Sequence, residues 1–356
     1  MSKTTKIDIT NSKYVKQAKF QKKINNDRTQ CLTCERRCNI SLGSLGHCQT
    51  RLNHEGTIYT VVFGCNAGIS NNPIEKKPLY HFFPGTRALT IGSFGCNFDC
   101  FWCQNHHMSH PDKNILDIMS VYEKYISPEQ FINLAFKEGC QGTSISFNEP
   151  TLLFEYSLEV FKLAKERGLY NTYVSNGYMT EEVLRELVNA GLHAINIDIK
   201  GDAKMVKKYC GIDVEKVWRN AKLAKKLGVH VEITTLLITE LNTNISTIKA
   251  ISNRIYNDLG EDTPVHFSRF FPQFKSSDYG YSEPTALHYL KNAFGIAKSV
   301  GLNYVYLGNI GDSDYTNTIC PKCSRLVIER YNMGIKRLNL DSNGNCKNCG
   351  FSICLI

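Results

Sequence analysis

The 356-residue sequence has no run approaching the roughly 18 unbroken apolar residues of a membrane span. Its Lys-, Asn- and Gln-rich start carries no apolar signal core. Low-complexity tracts and internal repeats are also missing. Net charge is scarce outside one place: of the formal +9, six come from residues 1–30, with eight bases and two acids. The remainder is close to neutral, and its C-terminal cysteine segment carries no dense basic patch for nucleic acid. These absences predict a soluble cytoplasmic protein without a membrane partner, led by a flexible basic arm over 1–30. Such an arm is either solvated or touches nucleic acid or an acidic partner, and nucleic acid is the weaker expectation.

Cysteine is what the sequence has in excess. Fifteen is an odd count in a chain without a secretion signal, so a disulfide framework is not expected. Eleven of the fifteen fall into three groups at metal-like spacing: Cys31, Cys34, Cys38 and Cys48; Cys96, Cys100 and Cys103; Cys320, Cys323, Cys346 and Cys349. Cys65, Cys140, Cys210 and Cys354 stand alone, as small buried hydrophobes do. The pattern describes a reduced, metal-rich protein.

After the first cysteine group an apolar run, Thr57–Phe63, reads as a strand, and 71–85 reads as an ordered loop rich in aliphatic and aromatic anchors. From Ala88 onward short β-rich runs recur at 88–94, 143–147, 170–174, 193–199, 229–237, 264–268 and 303–307. Helical periodicity fills the gaps. Ser127, Pro128 and Gln130 form a capping box, and Ser282 with Pro284 predicts a later helix start. Gly168, Gly191, Gly228, Gly260 and Gly301 sit where left-handed helix ends are needed. Strand–helix alternation means a parallel sheet, open or as a partial (β/α)6-type barrel, with function at the C-terminal ends of the strands. The predicted layout is an arm over 1–30, a cysteine-rich module and loop over 31–86, a partial barrel over 87–312 and a second small module over 313–356.

The central group, Cys96-x3-Cys100-x2-Cys103, follows the first barrel-type strand directly. Three thiolates hold three irons of a [4Fe–4S] cubane and leave the fourth iron open to a small molecule. A zinc site, or an electron-transfer cluster with a fourth cysteine from elsewhere, are the alternatives. With Trp102 just before the last cysteine, the motif resembles that of the radical S-adenosylmethionine (SAM) enzymes. The resemblance implies a cluster-bound SAM whose reductive cleavage gives a 5′-deoxyadenosyl radical for hydrogen abstraction. It also implies an electron donor of the flavodoxin or ferredoxin type.

On that resemblance, Trp102, Asn148, Glu149, Ser175 and Asn176 are candidate SAM contacts. Glu149-Pro150 matches the family's Gly-Gly-Glu-Pro, whereas Phe147 and Asn148 replace the two glycines. Ser175-Asn176-Gly177 stands where the family places ribose or carboxylate contacts, and is otherwise a turn. Asp198 and Lys200 share one face at the fourth strand's end, as an ion pair or as an Asp-x-Lys similar to that of the glycyl-radical-enzyme activases. His266 and Arg269 on the sixth strand are candidates for cofactor contact or for a structural role.

The two C-terminal Cys-x2-Cys knuckles make a closed four-thiolate set, read as a zinc ribbon in preference to a rubredoxin-type iron. The N-terminal four cysteines suit zinc or a second iron–sulfur cluster, and spacing does not choose. From Cys31 to the last knuckle, over about residues 30–350, the chain is similar to the AmmeMemoRadiSam radical SAM proteins. The matching runs include 31–56, 73–85 and His266–Pro272, and the barrel stands close to that of pyruvate formate-lyase activating enzymes. That likeness implies AMMECR-type and Memo-type partners and no particular substrate. Two rival functions remain at this stage. One is an activase that forms a glycyl radical on a partner enzyme. The other is an electron-transfer or nucleic-acid-binding metalloprotein.

Overall fold

Alternating buried runs and capped helices set the architecture. The computed structural model describes residues 12–311 and 314–356. The chain divides into two compact units, the first of residues 1–71 and 88–193, the second of 72–87 and 194–356.

In the first unit, Arg87–Gly92 (β1), Gly142–Ile145 (β2) and Tyr170–Ser175 (β3) pair in parallel, with Ala88 and Tyr170 both opposite Gly142. The helix Pro128–Lys137 (α1) opens on the predicted capping box: Ser127 accepts from the Gln130 backbone while the Gln130 side chain returns to Ser127. It buries Phe131, Ile132 and Ala135, and each large apolar side chain taken fully from water contributes about 1.5–3 kcal/mol. Phe154–Glu166 (α2) leads to β3, and Glu181–Ala190 (α3) ends on Gly191 in the left-handed region.

The stretch expected as an arm behaves differently from that expectation. Residues 1–11 lie outside the described residues. From there on the chain is built in: Lys16–Gln17 pairs with Thr57–Thr60, which pairs with Arg51–His54. Gln21–Lys23, Arg28–Cys31 and Asn39–Ser41 form a second antiparallel sheet. Tyr14 and Ala18 are buried, and the Gln21 amide bonds the backbone of Ala18 and Ile58. Polar residues hid these strands, because backbone ladders and a side-chain amide hold them around only a small apolar cluster of Ala18, Cys31, Ile40 and Ile58.

The second unit carries four parallel strands, Ala194–Asp198 (β4), His230–Leu237 (β5), Val265–Arg269 (β6) and Val305–Gly308 (β7), in sequence order. Its helices are Ala203–Cys210 (α4), Val214–Lys226 (α5), Ile245–Leu259 (α6) and Leu287–Val300 (α7). The last begins after Ala286 and not at Ser282. Thr285 explains the delay: its amide bonds Phe270, its hydroxyl bonds the Leu237 carbonyl and its carbonyl takes Arg269 Nε, so the chain is pinned as a loop until that point. Thr318–Ile319, Leu326–Tyr331 and Gly334–Leu338 form an antiparallel sheet over Val327, Ile328, Leu340 and Ile353. The mixed α/β architecture on parallel strands is the one expected. No helix among the described residues is long and apolar enough to cross a membrane.

Candidate active site

The cysteine loop leaves β1 through Gly92, Ser93, Phe94 and Gly95. A Cβ on Gly95, whose φ is +85°, would lie 2.4 Å from the Cys48 carbonyl oxygen, so only glycine lets the loop pass so close. Asn148, expected at SAM, secures this loop with its whole amide. Oδ1 accepts from Ser93 N at 3.0 Å, and Nδ2 donates to Phe94 O at 3.2 Å and Gly95 O at 3.0 Å. Its side chain positions the loop. Phe147 before it has φ +76°. The left-handed conformation that the family's glycine would favour is present here with a phenylalanine in it, a strained backbone at a strand end.

Glu149, buried at 3% exposure, joins the ends of β2 and β3. Oε1 accepts from Thr151 N at 3.0 Å and Ser175 Oγ at 2.8 Å, and Oε2 accepts from Asn176 N at 2.8 Å. Burial raises its pKa, and the hydrogen bonds from Thr151, Asn176 and Ser175 pull the other way without cancelling that rise. Asn176 Nδ2 donates to Asn97 Oδ1 at 2.7 Å, and Asn97 lies between Cys96 and Cys100. Glu149, Ser175, Asn176 and the cysteine loop are therefore one connected polar network at the C-terminal ends of parallel strands.

Cys96 is held well above the ordinary thiol pKa, first by burial and then by the Glu149 charge and the two neighbouring thiols, Cys100 and Cys103. Metal loading must displace that proton. Trp102 is buried and packs edge-to-face on Phe101, with centroids 4.6 Å apart. No three of these thiols come within 4.8 Å of one another; among the described residues the C-terminal four are the set that does. The loop is therefore not the close set that one shared ion needs.

The C-terminal set is the contrasting case. Cys320 and Cys349 Sγ are 3.6 Å apart, and Cys323 and Cys346 3.7 Å. A metal–sulfur bond of about 2.3 Å in a tetrahedron puts thiolates about 3.8 Å apart. These four cysteines form a site that fits one ion.

The remaining candidates lie in the second unit. Asp198 closes β4 and pairs with Lys200 at 2.9 Å, both half-buried. The Arg269 guanidinium lies over the Phe271 ring at 5.0 Å. His266 is buried near the start of β6, not at its C-terminal end, and its Nε2 meets Glu232 Oε2 at 2.6 Å. His230 Nε2 bonds the other Glu232 oxygen at 2.9 Å, and the His81 amide also donates to it. Burial pushes the Glu232 pKa up, and the His230 and His266 bonds overcome this to hold it well below the carboxylate range. His266 thus serves this buried cluster, the structural one of the two roles expected for it.

Sequence reasoning passed over Asn97, Asp99, Arg36 and Glu232. Arg36 donates through Nη2 to Asp99 at 2.8 Å and through Nε to the Asn97 carbonyl, and His47 bonds Asp99 at 2.8 Å. The signal was available in two polar residues, Asn97 and Asp99, between the cysteines of one short loop.

The Radical SAM superfamily matches residues 90–253. A relative in Methanocaldococcus jannaschii, an uncharacterized protein, is 38% identical over 345 residues, 96% of this chain and 100% of the other. The chain belongs to the radical SAM superfamily. A probable GTP 3′,8-cyclase of Pyrobaculum aerophilum is 26% identical over 43% of this chain and 48% of its own length. A putative glycyl-radical enzyme activating enzyme of M. jannaschii is 27% identical over 45% of this chain and 65% of its own. The chain thus spans about half to two thirds of these two relatives. As a radical SAM enzyme it is expected to take a [4Fe–4S] cluster and SAM.

Proposed function

We propose that this radical SAM enzyme abstracts hydrogen from an unactivated C–H bond. The observation that supports it is the polar network joining the Cys96–Cys103 loop to the ends of β2 and β3. Cys96, Cys100 and Cys103 ligate the cluster, leaving one iron for SAM. The bound groups supply a single electron to the sulfonium and so a 5′-deoxyadenosyl radical. The protein's share is positioning and shielding. Asn148 fixes the loop backbone, Glu149 fixes Ser175 and Asn176 against SAM, and Trp102 with Phe101 keeps water from the cluster face. Asp198, Lys200 and Arg269 are assigned to SAM or substrate, with Lys200 neutralised by Asp198 until a ligand displaces it.

The electron comes from a flavodoxin- or ferredoxin-type donor, and AMMECR-type and Memo-type proteins are the candidate partners. The C-terminal four cysteines hold zinc as a structural ion, a reading supported by their 3.6 and 3.7 Å separations. The likeness to an activating enzyme supports a second reading, a protein substrate bearing a glycyl radical. The deciding experiment is anaerobic reconstitution with iron and sulfide, then dithionite and SAM, with 5′-deoxyadenosine quantified beside Cys100→Ala. Product lost in the variant sustains the proposal. A reducible cluster that yields no product, with or without the candidate partners, rejects it.

A further inference from the structure

The N-terminal cysteines belong to the first unit and are not needed for the chemistry above. Cys31 ends one strand, Cys38 precedes the next, and Cys31 N bonds Cys38 O at 2.9 Å across the turn that carries Cys34. Cys48 arrives from the following loop, and all four line one cavity together with Arg51 and Asn97. Three of the thiols are buried. Each of two has a threonine hydroxyl beside it: Thr33 Oγ1 at 3.5 Å from Cys31, Thr50 Oγ1 at 3.2 Å from Cys48. Hydroxyls so placed serve thiolate ligands as outer hydrogen bonds.

Two observations point to what fills the cavity. Arg51 is 1% exposed; Nη1 meets Glu155 at 2.8 Å and Nη2 donates to the Leu152 carbonyl at 3.3 Å. Its Nε has no hydrogen-bond partner among the described residues, although it is buried in the cavity wall. A buried donor left open is costly, and an acceptor held in the cavity would satisfy it. The thiol spacing argues against a single shared ion. No three of these four Sγ atoms lie within 4.8 Å of one another, in contrast to the C-terminal four. One shared ion needs the close set, and a cubane with one thiolate per iron needs the wide one.

We propose that Cys31, Cys34, Cys38 and Cys48 ligate a second [4Fe–4S] cluster, with Arg51 Nε–H directed at its sulfur, placed to pass electrons to the cysteine loop after β1. All four irons have protein ligands, so this cluster binds no substrate and only transfers electrons. One electron from a reduced ferredoxin- or flavodoxin-type protein enters; the donor is oxidised by one and the cluster reduced by one. The same electron leaves toward the loop, which restores the cluster and consumes no proton. The two sites adjoin: Asn97 lines the cavity of the four cysteines and is itself part of the Cys96–Cys100 segment, while a Cβ on Gly95 would lie 2.4 Å from the Cys48 carbonyl oxygen.

The test uses the full chain with Cys96→Ala, Cys100→Ala and Cys103→Ala combined, reconstituted anaerobically with iron and sulfide. About four irons and four acid-labile sulfides per chain, with a [4Fe–4S] Mössbauer spectrum, are expected to remain. Adding Cys34→Ala and Cys48→Ala should remove them. The wild type should hold about eight irons and a single zinc. A triple variant free of sulfide, or a wild type with four irons and two zincs, overturns the proposal. Because the triple variant lacks the SAM cysteines, its sulfide content is independent of whether the enzyme cleaves SAM. Arg51→Lys keeps the charge and loses the Nε donor, so it should retain the cluster at a lower reduction potential.

Discussion

The two units gather their buried polar groups in different places. In the first, Asn148, Glu149, Asn176 and Asn97 tie strand ends to a loop whose thiols stay apart, and Arg51 keeps an open donor beside four more. In the second, they gather around His81, Tyr306 and Glu232, with Arg330 Nε left open there as Arg51 Nε is in the first. Arg330 donates to Thr318, Thr318 and Tyr306 are 2.8 Å apart, and Tyr306 meets His81 Nε2 at 2.6 Å. His81 Nδ1 reaches the Ile353 carbonyl at 2.6 Å, while Glu232 takes His230 and His266. A buried bonded network of this kind helps to specify a scaffold, whereas the first unit's network sits at strand ends beside the cysteine loop. The cysteines differ as well: the C-terminal four stand close enough to share one ion, and the other two groups do not.

Substitutions of cysteine test that contrast most severely. Cys100→Ala should reduce 5′-deoxyadenosine to background and leave the thermal unfolding of the iron-free protein unchanged. Cys320→Ala should do the reverse to folding, exposing the Val327–Ile328 core to dye binding, since a structural zinc site contributes several kcal/mol or more. If Cys320→Ala unfolds nothing, the division between the two kinds of thiol fails.

Glu149→Gln keeps the shape and removes the charge from three or more hydrogen bonds, each worth about 1.5–3 kcal/mol when charged. SAM affinity, read by isothermal titration, should fall about tenfold, or about 1.4 kcal/mol. An unchanged affinity would place the network outside the SAM site.

Acid should act on the second unit through its buried network. Burial holds the His81 pKa down at about 3, against a usual 6.5. Between those values the unfolded chain binds the proton and the folded one does not, so stability is full above 6.5 and is lost as pH falls toward 3. Glu232, also depressed, adds to the loss below 4.5. Unfolding followed by hydrogen exchange in the 318–354 segment should show this slope, and His81→Asn should flatten its upper part.

The smallest effect expected is at Phe147. Phe147→Gly relieves a left-handed φ and Phe147→Ala does not, so the glycine variant should be the more stable of the two by about 1 kcal/mol. Equal stabilities would mean the backbone there is unstrained.

Much of this was legible because it is local. The capping box at Ser127, the left-handed glycines and the parallel alternation depend on neighbours in sequence. Cys96-x3-Cys100-x2-Cys103 carries its chemistry in its spacing. The misreadings were non-local. Polar strands between 16 and 31 looked like an arm because Gln21 finds its partners at Ile58. The helix expected at Ser282 waits for Ala286 because Thr285 bonds Leu237 and Phe270. His266 resembled a rim residue until Glu232 was seen beside it.

Sequence alone determined the family, the parallel α/β order and which cysteines act together, since motif spacing and periodicity are properties of the chain. Only the tertiary structure decided how far apart the thiols of each group stand. It also decided that Asn148 serves the loop, that His266 serves Glu232 and that Arg51 faces the N-terminal cysteines. Distances between side chains remote in sequence are set by packing and by the cost of leaving a buried polar group unpaired, and neither is written in any local run of residues.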